Sequence, residues 1–193
     1  MQRRLFLLAL TFTGACTTTL PLPSGTRGYR SDVRLGGRLS VNYRAAGKPE
    51  SLQGKFLWVQ RGEQIDIELL TPLGQTIARI AIAPGRARIE KSGGEVREAQ
   101  SIDQLTEQTL GWALPVNGLR YWLQGFVRDA RGQLISVTPD QSDTLRGDGW
   151  KLRYVSWQAE GNSAMPKRID FTRDTAQSEL ALRVVIDRWQ GEE

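Results

Sequence analysis

The sequence predicts a mainly β chain, an antiparallel sheet of about ten or eleven strands that curls toward a barrel and is covered by a short helical hairpin. Three observations predict it. Apolar residues recur at every second position in successive runs, as in Ile65, Ile67 and Leu69 or Ala78, Ile80 and Ile82, and glycine or proline separates the runs. Between Ser101 and Gly125 the period becomes helical. Six tryptophans, Trp58, Trp112, Trp122, Trp150, Trp157 and Trp189, offer wide apolar walls. Spacing alone leaves open whether they fill the interior or surround a space.

The chain opens with a basic head, Met1-Gln2-Arg3-Arg4, an apolar run from Leu5 to Phe12, and small residues up to Cys16. The run is too short to span a bilayer, and the pattern is that of a secretory signal over residues 1–15. Small residues directly before a cysteine resemble a bacterial lipoprotein signal, with Thr13 standing where leucine is usual. That resemblance implies a diacylglycerol on the Cys16 sulfur and an acyl chain on its new amine, as an anchor. Thr17, where inner-membrane lipoproteins often carry aspartate, points to the outer membrane.

Without the signal 178 of the 193 residues remain, a fit for one domain over 25–193. Its net charge falls from +5 to +3 once Arg3 and Arg4 are removed, too weak an excess to name an anionic partner. Residues 16–24, with Pro21 and Pro23, read as a tether. Ser24 to Val33 is ambiguous and has room for a short helix.

From Leu35 the alternation of Leu35, Leu39, Val41 and Tyr43 predicts a half-buried strand, and Phe56 and Trp58 share a face of the next. Further strands are predicted at Gln64 to Leu70, Gln75 to Ala83, Ala87 to Lys91 and Glu95 to Ala99. No connection is long enough for a parallel crossover, so the run is a meander of hairpins. Pro72-Leu73-Gly74 occupies the tip of one turn and should hold Leu73 in solvent. Ser101-Ile102-Asp103-Gln104 has the form of a capping box, and Gly111 should end the helix it starts. A second helix from Pro115 to Gly125 should bury Val116, Leu119, Trp122 and Leu123. Strands resume at Leu134 to Thr138, Asp143 to Arg146, Gly149 to Trp157, Lys167 to Thr172 and Leu180 to Trp189.

The residue inventory argues against chemistry. With no histidine and one cysteine, the chain cannot build a Ser-His-Asp or Cys-His centre, or a metal site from those ligands. It has no GxxxxGK[ST] phosphate loop. Asp66 and Glu68 are the best carboxylate pair for glycoside hydrolysis, but they oppose the apolar face of Ile65, Ile67 and Leu69, as solvated charges do. Trp150-Lys151-Leu152-Arg153-Tyr154 mixes bases with aromatics, yet alternation separates them onto opposite faces, and export argues against nucleic acid.

Several segments carry a family pattern: Gly37-Arg38-Leu39-Ser40-Val41, Gly54-Lys55-Phe56-Leu57-Trp58, Leu69-Leu70-Thr71-Pro72-Leu73-Gly74-Gln75-Thr76, Leu110-Gly111-Trp112-Ala113-Leu114-Pro115-Val116, Leu119-Arg120-Tyr121-Trp122-Leu123-Gln124-Gly125, Gly149-Trp150-Lys151-Leu152-Arg153-Tyr154 and Ile186-Asp187-Arg188-Trp189. In that order they resemble the LolB family of outer-membrane lipoprotein receptors. The resemblance implies an open, incomplete antiparallel barrel closed by helices around an apolar cavity for acyl chains. It implies a protein that is not an enzyme, uses no cofactor and acts on the periplasmic side of the outer membrane. Its implied partners are the soluble carrier LolA, acylated lipoprotein cargo and outer-membrane lipid, with the receptor expected to be a monomer. Leu73, flanked by Pro72 and Gly74, matches the family's membrane-insertion loop.

On this reading Phe56, Trp58, Ile67, Leu69, Ile80, Trp150 and Tyr154 are expected to line the cavity. Trp112, Leu119 and Trp122 should form the lid's inner face. The alternative is a passive lipid-binding or structural lipoprotein with no carrier.

Overall fold

The two-residue alternation of the first half becomes six successive strands: β1 (Asp32–Ala45), β2 (Lys48–Arg61), β3 (Gln64–Leu70), β4 (Thr76–Ala83), β5 (Arg86–Lys91) and β6 (Val96–Ala99). Helices α1 (Ile102–Leu110) and α2 (Val116–Trp122) follow, then β7 (Phe126–Arg128), β8 (Leu134–Ser136) and a 3-10 turn at Pro139–Gln141. The chain ends in β9 (Leu145–Gly147), β10 (Trp150–Glu160), β11 (Ser163–Asp174) and β12 (Glu179–Gln190). This computed structural model describes residues 21–45, 47–141, 145–147, 149–174 and 179–190. The expected signal, Cys16 and the first part of the tether lie outside the described residues.

Ten strands form one antiparallel sheet in the order β6-β5-β4-β3-β2-β1-β12-β11-β10-β9. The first and last long strands meet at its centre, where β1 pairs with β12. β6 and β9 are left as its edges, and the segment between them in the chain carries both helices. One sheet face is the core: Phe56, Trp58, Ile65, Ile67, Leu69, Ile80 and Ile89 from the first half meet Leu152, Ile169, Phe171, Leu182 and Ile186 from the second. The other face is rich in Arg and Glu, so it is built for water or polar headgroups and not for lipid tails.

Strict alternation fails in two places, and each failure is a bulge. Gly36 pairs with Arg188 but Gly37 with Ile186, so Asp187 is an extra residue on β12. Both Ile186 and Trp189 thereby turn inward although three positions apart. On β10 the register slips around Ser156, which brings Trp157 back over the inner face to stack on Tyr154, ring centroids 5.3 Å apart.

Three expectations are corrected. Residues 24–33 hold no helix: Gly25 bridges to Ser163 in parallel, its N–H donating to the Asn162 carbonyl at 3.1 Å. Extended backbone lets Arg27, Tyr29 and Arg30 reach across to the lid, which a helix would turn away. Ser101 sits before α1 with extended backbone but makes no side-chain cap bond. Gly111 does end that helix, its N–H donating to the Glu107 carbonyl. The Leu134 to Thr138 run supplies only β8, which leaves the main sheet and pairs with β7, a short strand that alternation is too brief to reveal. The Asp143 end of the predicted strand lies outside the described residues.

Gly118 in α2 is a packing requirement: a Cβ there would stand 2.2 Å from the Trp122 ring, which folds back over the helix onto Phe171 at 5.8 Å. On the outer wall, Asp170 accepts hydrogen bonds from Arg168 (2.9 Å), Arg183 (3.0 Å) and Arg153 (3.2 Å). Burial works against its charge, but the three guanidinium groups outweigh it and hold the carboxyl at about 2.

Gly118→Ala should therefore cost about 1–3 kcal/mol by displacing Trp122, read as a lowered unfolding midpoint with altered near-ultraviolet tryptophan signal. Because folding depresses the Asp170 pKa, its stabilisation is present above the unfolded value near 4 and lost as pH falls toward about 2. Asp170→Asn should lower stability by about 1 kcal/mol at neutral pH, screened by solvent. It should also flatten the acid limb between pH 4 and 2, as followed by denaturant unfolding.

Candidate functional site: the lidded interior and the Leu73 turn

The inner face of β2 and β3 presents Phe56, Trp58, Ile67 and Leu69, and the neighbouring strands β1 and β12 present Leu39, Leu182 and Val184. Leu114, from the link between the helices, and Leu119 and Leu123, from α2 and its end, come down onto them. These ten apolar residues enclose a void of about 20 Å³, room for about one water molecule. The apolar interior expected from the family pattern is therefore nearly filled in this structure, and what fills it is the lid.

Of the residues expected to line the cavity, Phe56, Trp58, Ile67, Leu69 and Leu119 surround the void. Ile80, Trp112, Trp122, Trp150 and Tyr154 are buried elsewhere in the same core. Trp122 lies against Phe171, and its carbonyl accepts a hydrogen bond from the Tyr154 hydroxyl at 2.9 Å. Burial pushes the Tyr154 phenol well above its ordinary range, so it stays a neutral donor. Sequence reasoning did not assign Leu39, Leu114, Leu123, Leu182 and Val184 to the cavity. Strand alternation carries the signal for Leu39, Leu182 and Val184, and helical spacing carries it for Leu123. Leu114 sits in an irregular link and gives none.

The lid is fastened unevenly. At the C-terminal end of α2, Gln124 is buried and brackets Arg30, accepting from its N–H and donating to its carbonyl, both at 3.0 Å. Arg27 donates to the Gly125 carbonyl (2.9 Å), to Val137 and to Ala164 (2.7 Å), and lies over the rings of Trp157 and Phe126. Tyr29 accepts from Gln60 at 2.7 Å and packs on Tyr121. None of this strap was legible in the sequence, since isolated arginines and tyrosines outside a periodic run carry no pattern. At the link between the helices, the Leu114 N–H is satisfied within the lid by Thr106, and the buried Trp112 indole N–H has no partner among the described residues. Leu114 meets the sheet among apolar side chains alone, so this end of the lid is held chiefly by apolar contact.

The β3–β4 turn is the second feature. The Thr71 N–H donates to the Gln75 carbonyl at 2.8 Å, the Gly74 N–H to the Thr71 carbonyl at 2.9 Å, and the Gln75 N–H to the Thr71 hydroxyl at 3.1 Å. Gly74 takes a φ of 90°, which side chains rarely adopt. These bonds brace the loop, and Pro72 and Leu73 stand out from it, Leu73 being 89% exposed. No other large apolar side chain among the described residues is comparably exposed. Asp66 and Glu68 lie on the outer wall in ion pairs with Arg61 and Arg79, away from this interior.

Comparison with known proteins gives the family and the fold. The family described as "Outer membrane lipoprotein LolB" matches residues 31–189. The outer-membrane lipoprotein LolB of Cupriavidus metallidurans is 39% identical over 96% of each chain. That of Cupriavidus pinatubonensis is 38% identical over 96% of this chain and 95% of its own. Among solved structures, the LolA superfamily protein NE2245 from Nitrosomonas europaea aligns with a TM-score of 0.51 at 10% identity, covering 86% of this chain and 89% of that one, a likeness of fold. The chain belongs to the LolB family of outer-membrane lipoproteins.

Proposed function

We propose that this protein accepts acylated lipoproteins from the periplasmic carrier LolA beneath its lid and delivers them into the outer membrane. The observation that carries the reading is the seam between lid and sheet. Leu114, Leu119 and Leu123 meet Phe56, Trp58, Ile67 and Leu69 with only apolar side chains around the intervening void. Such a seam can part and re-form around an acyl chain, because among the described residues its lining there is wholly apolar. Membership in the family supports the partner and the cargo.

Magnitudes favour the exchange. Exposing three leucine side chains costs roughly 5–9 kcal/mol at about 1.5–3 kcal/mol each. Keeping a single sixteen-carbon chain out of water is worth about 12 kcal/mol at about 0.8 kcal/mol per methylene. One chain therefore offsets the opening, and no covalent step is needed. The fastened end of α2, at Trp122, Gln124 and Gly125, serves as the hinge, and the link carrying Trp112 and Leu114 swings. Lipid on Cys16 is the protein's own anchor. Leu73 then enters the bilayer and marks where the opened interior meets lipid. Its side chain contributes roughly 1.5–3 kcal/mol when buried, too little to anchor the protein and enough to orient it.

Leu73→Asp should still take cargo from loaded carrier but release it poorly into liposomes, measured by cosedimentation of cargo with vesicles. Release equal to the parent removes Leu73 from the mechanism, and no faster uptake from the carrier than spontaneous exchange makes the protein a passive binder. Tyr154→Phe removes one hinge bond worth about 1 kcal/mol, so lid opening should rise about fivefold, read by hydrogen exchange of the α2 amides. Because burial raises the Tyr154 pKa, that bond is intact below pH 10 and fails as pH climbs further. Alkaline loosening of α2 should appear in the parent and be absent from Tyr154→Phe.

A further inference from the structure

We infer that the outer wall built from β1, β2, β10, β11 and β12 rests on the anionic phospholipid headgroups of the membrane, so that the anchored protein lies on its side. The inference deepens the function proposed above and rests on it for the two attachment points, Cys16 and Leu73.

The first observation is where those points stand. The ladder aligns Leu70, Lys55, Arg38, Val185 and Arg168 in one row across five strands, β3 to β11 by way of β2, β1 and β12. β3 and β11 run in the same direction. Leu73 lies three residues beyond this row, whereas Gly25 is bonded beside Ser163, five residues before it. Tether exit and membrane tip are thus at opposite ends of the sheet, about 25 Å apart along the strands and about 19 Å across them. Nine residues separate Cys16 from Gly25 and reach at most about 32 Å. With the molecule upright on Leu73, that tether must run back nearly taut. With the wall laid on the bilayer, both ends meet the surface with slack.

The second observation is the charge of the wall between them. Arg38, Lys55, Arg153, Arg168, Arg183 and Arg188 face outward there against Asp170 and Asp187. The remaining acids of these strands, Asp32, Glu50, Glu160, Asp174 and Glu179, stand at or near strand ends. Asp170 alone is shared by three arginines. The adjoining wall of β3 to β6 behaves differently: Arg79, Arg86, Arg88, Lys91 and Arg97 each pair with Glu68, Glu90, Glu95 or Glu98. Cations in excess are therefore confined to the side that joins the two attachment points. Basic residues held near an anionic leaflet attract its headgroups within a Debye length.

The test uses the mature chain carrying Cys16→Ala, which removes the acyl anchor, and vesicles of phosphatidylcholine with or without phosphatidylglycerol. Binding should require phosphatidylglycerol and fall with added salt. Lys55→Gln with Arg188→Gln should weaken it about tenfold or more, whereas Arg86→Gln with Arg97→Gln, an equal loss of charge on the other wall, should change it less than about twofold. A fluorophore on Ser40→Cys, on the basic wall, should be quenched by nitroxide headgroup lipid, and one on Ala81→Cys, on the paired wall, should not. Equal weakening by both pairs would mean that net charge alone drives binding, and equal quenching at the two sites would mean no preferred face; either overturns the inference. These readings involve neither carrier nor cargo, so their failure leaves the Leu73→Asp release result standing. A null release result leaves the wall measurement interpretable.

Discussion

A curled sheet whose edges do not meet leaves an apolar inner face that something other than strands must bury. Here the edges are β6 and β9, and the chain between them supplies the cover. The helices are thus not an appendage to the barrel, since without them Phe56, Trp58, Ile67 and Leu69 would face water. The same arrangement confines weakness to one place. Strand pairing is cooperative and backbone-bonded throughout the sheet, whereas the lid meets it through side chains, so opening at the lid is the least costly way to reach the interior.

The lid is itself asymmetric. Buried polar groups that find partners fix position, and at the end of α2 several do so together: Gln124 with Arg30, Arg27 with three carbonyls, Tyr154 with Trp122. At the link between α1 and α2 apolar contact predominates, and apolar contact is indifferent to whether its partner is a leucine or an acyl chain. On the function proposed above, one end holds while the other exchanges partners. The strap that fastens this end of the lid comes from residues 27–30, so a segment near the start of the described chain holds one near its middle.

Reading the chain by period located every strand of the main sheet and both helices, because a half-buried strand and an amphipathic helix each impose their own repeat on apolar residues. It placed Leu73 in solvent for an equally local reason, the demands of Pro72 and Gly74 on the turn. It failed where geometry departs from the repeat. The bulge at Asp187 turns Ile186 and Trp189 to the same side, and the slip near Ser156 does the same for Trp157. β7 was too short to show alternation, so the pairing that draws β8 out of the main sheet was not foreseen, and the expected capping bond at Ser101 is not made.

By itself the sequence determined the antiparallel strands, the helical hairpin, the exposed leucine and the family, because each is written in neighbouring residues or in motifs a few residues long. Only the tertiary structure decided that β1 closes on β12, that the apolar interior is filled by the lid's own leucines, and that Arg27 and Gln124 fasten one end of that lid. Which wall keeps its cations in excess was also decided there. These are contacts between residues far apart in the chain, and a repeat read along the chain carries no information about how distant segments meet.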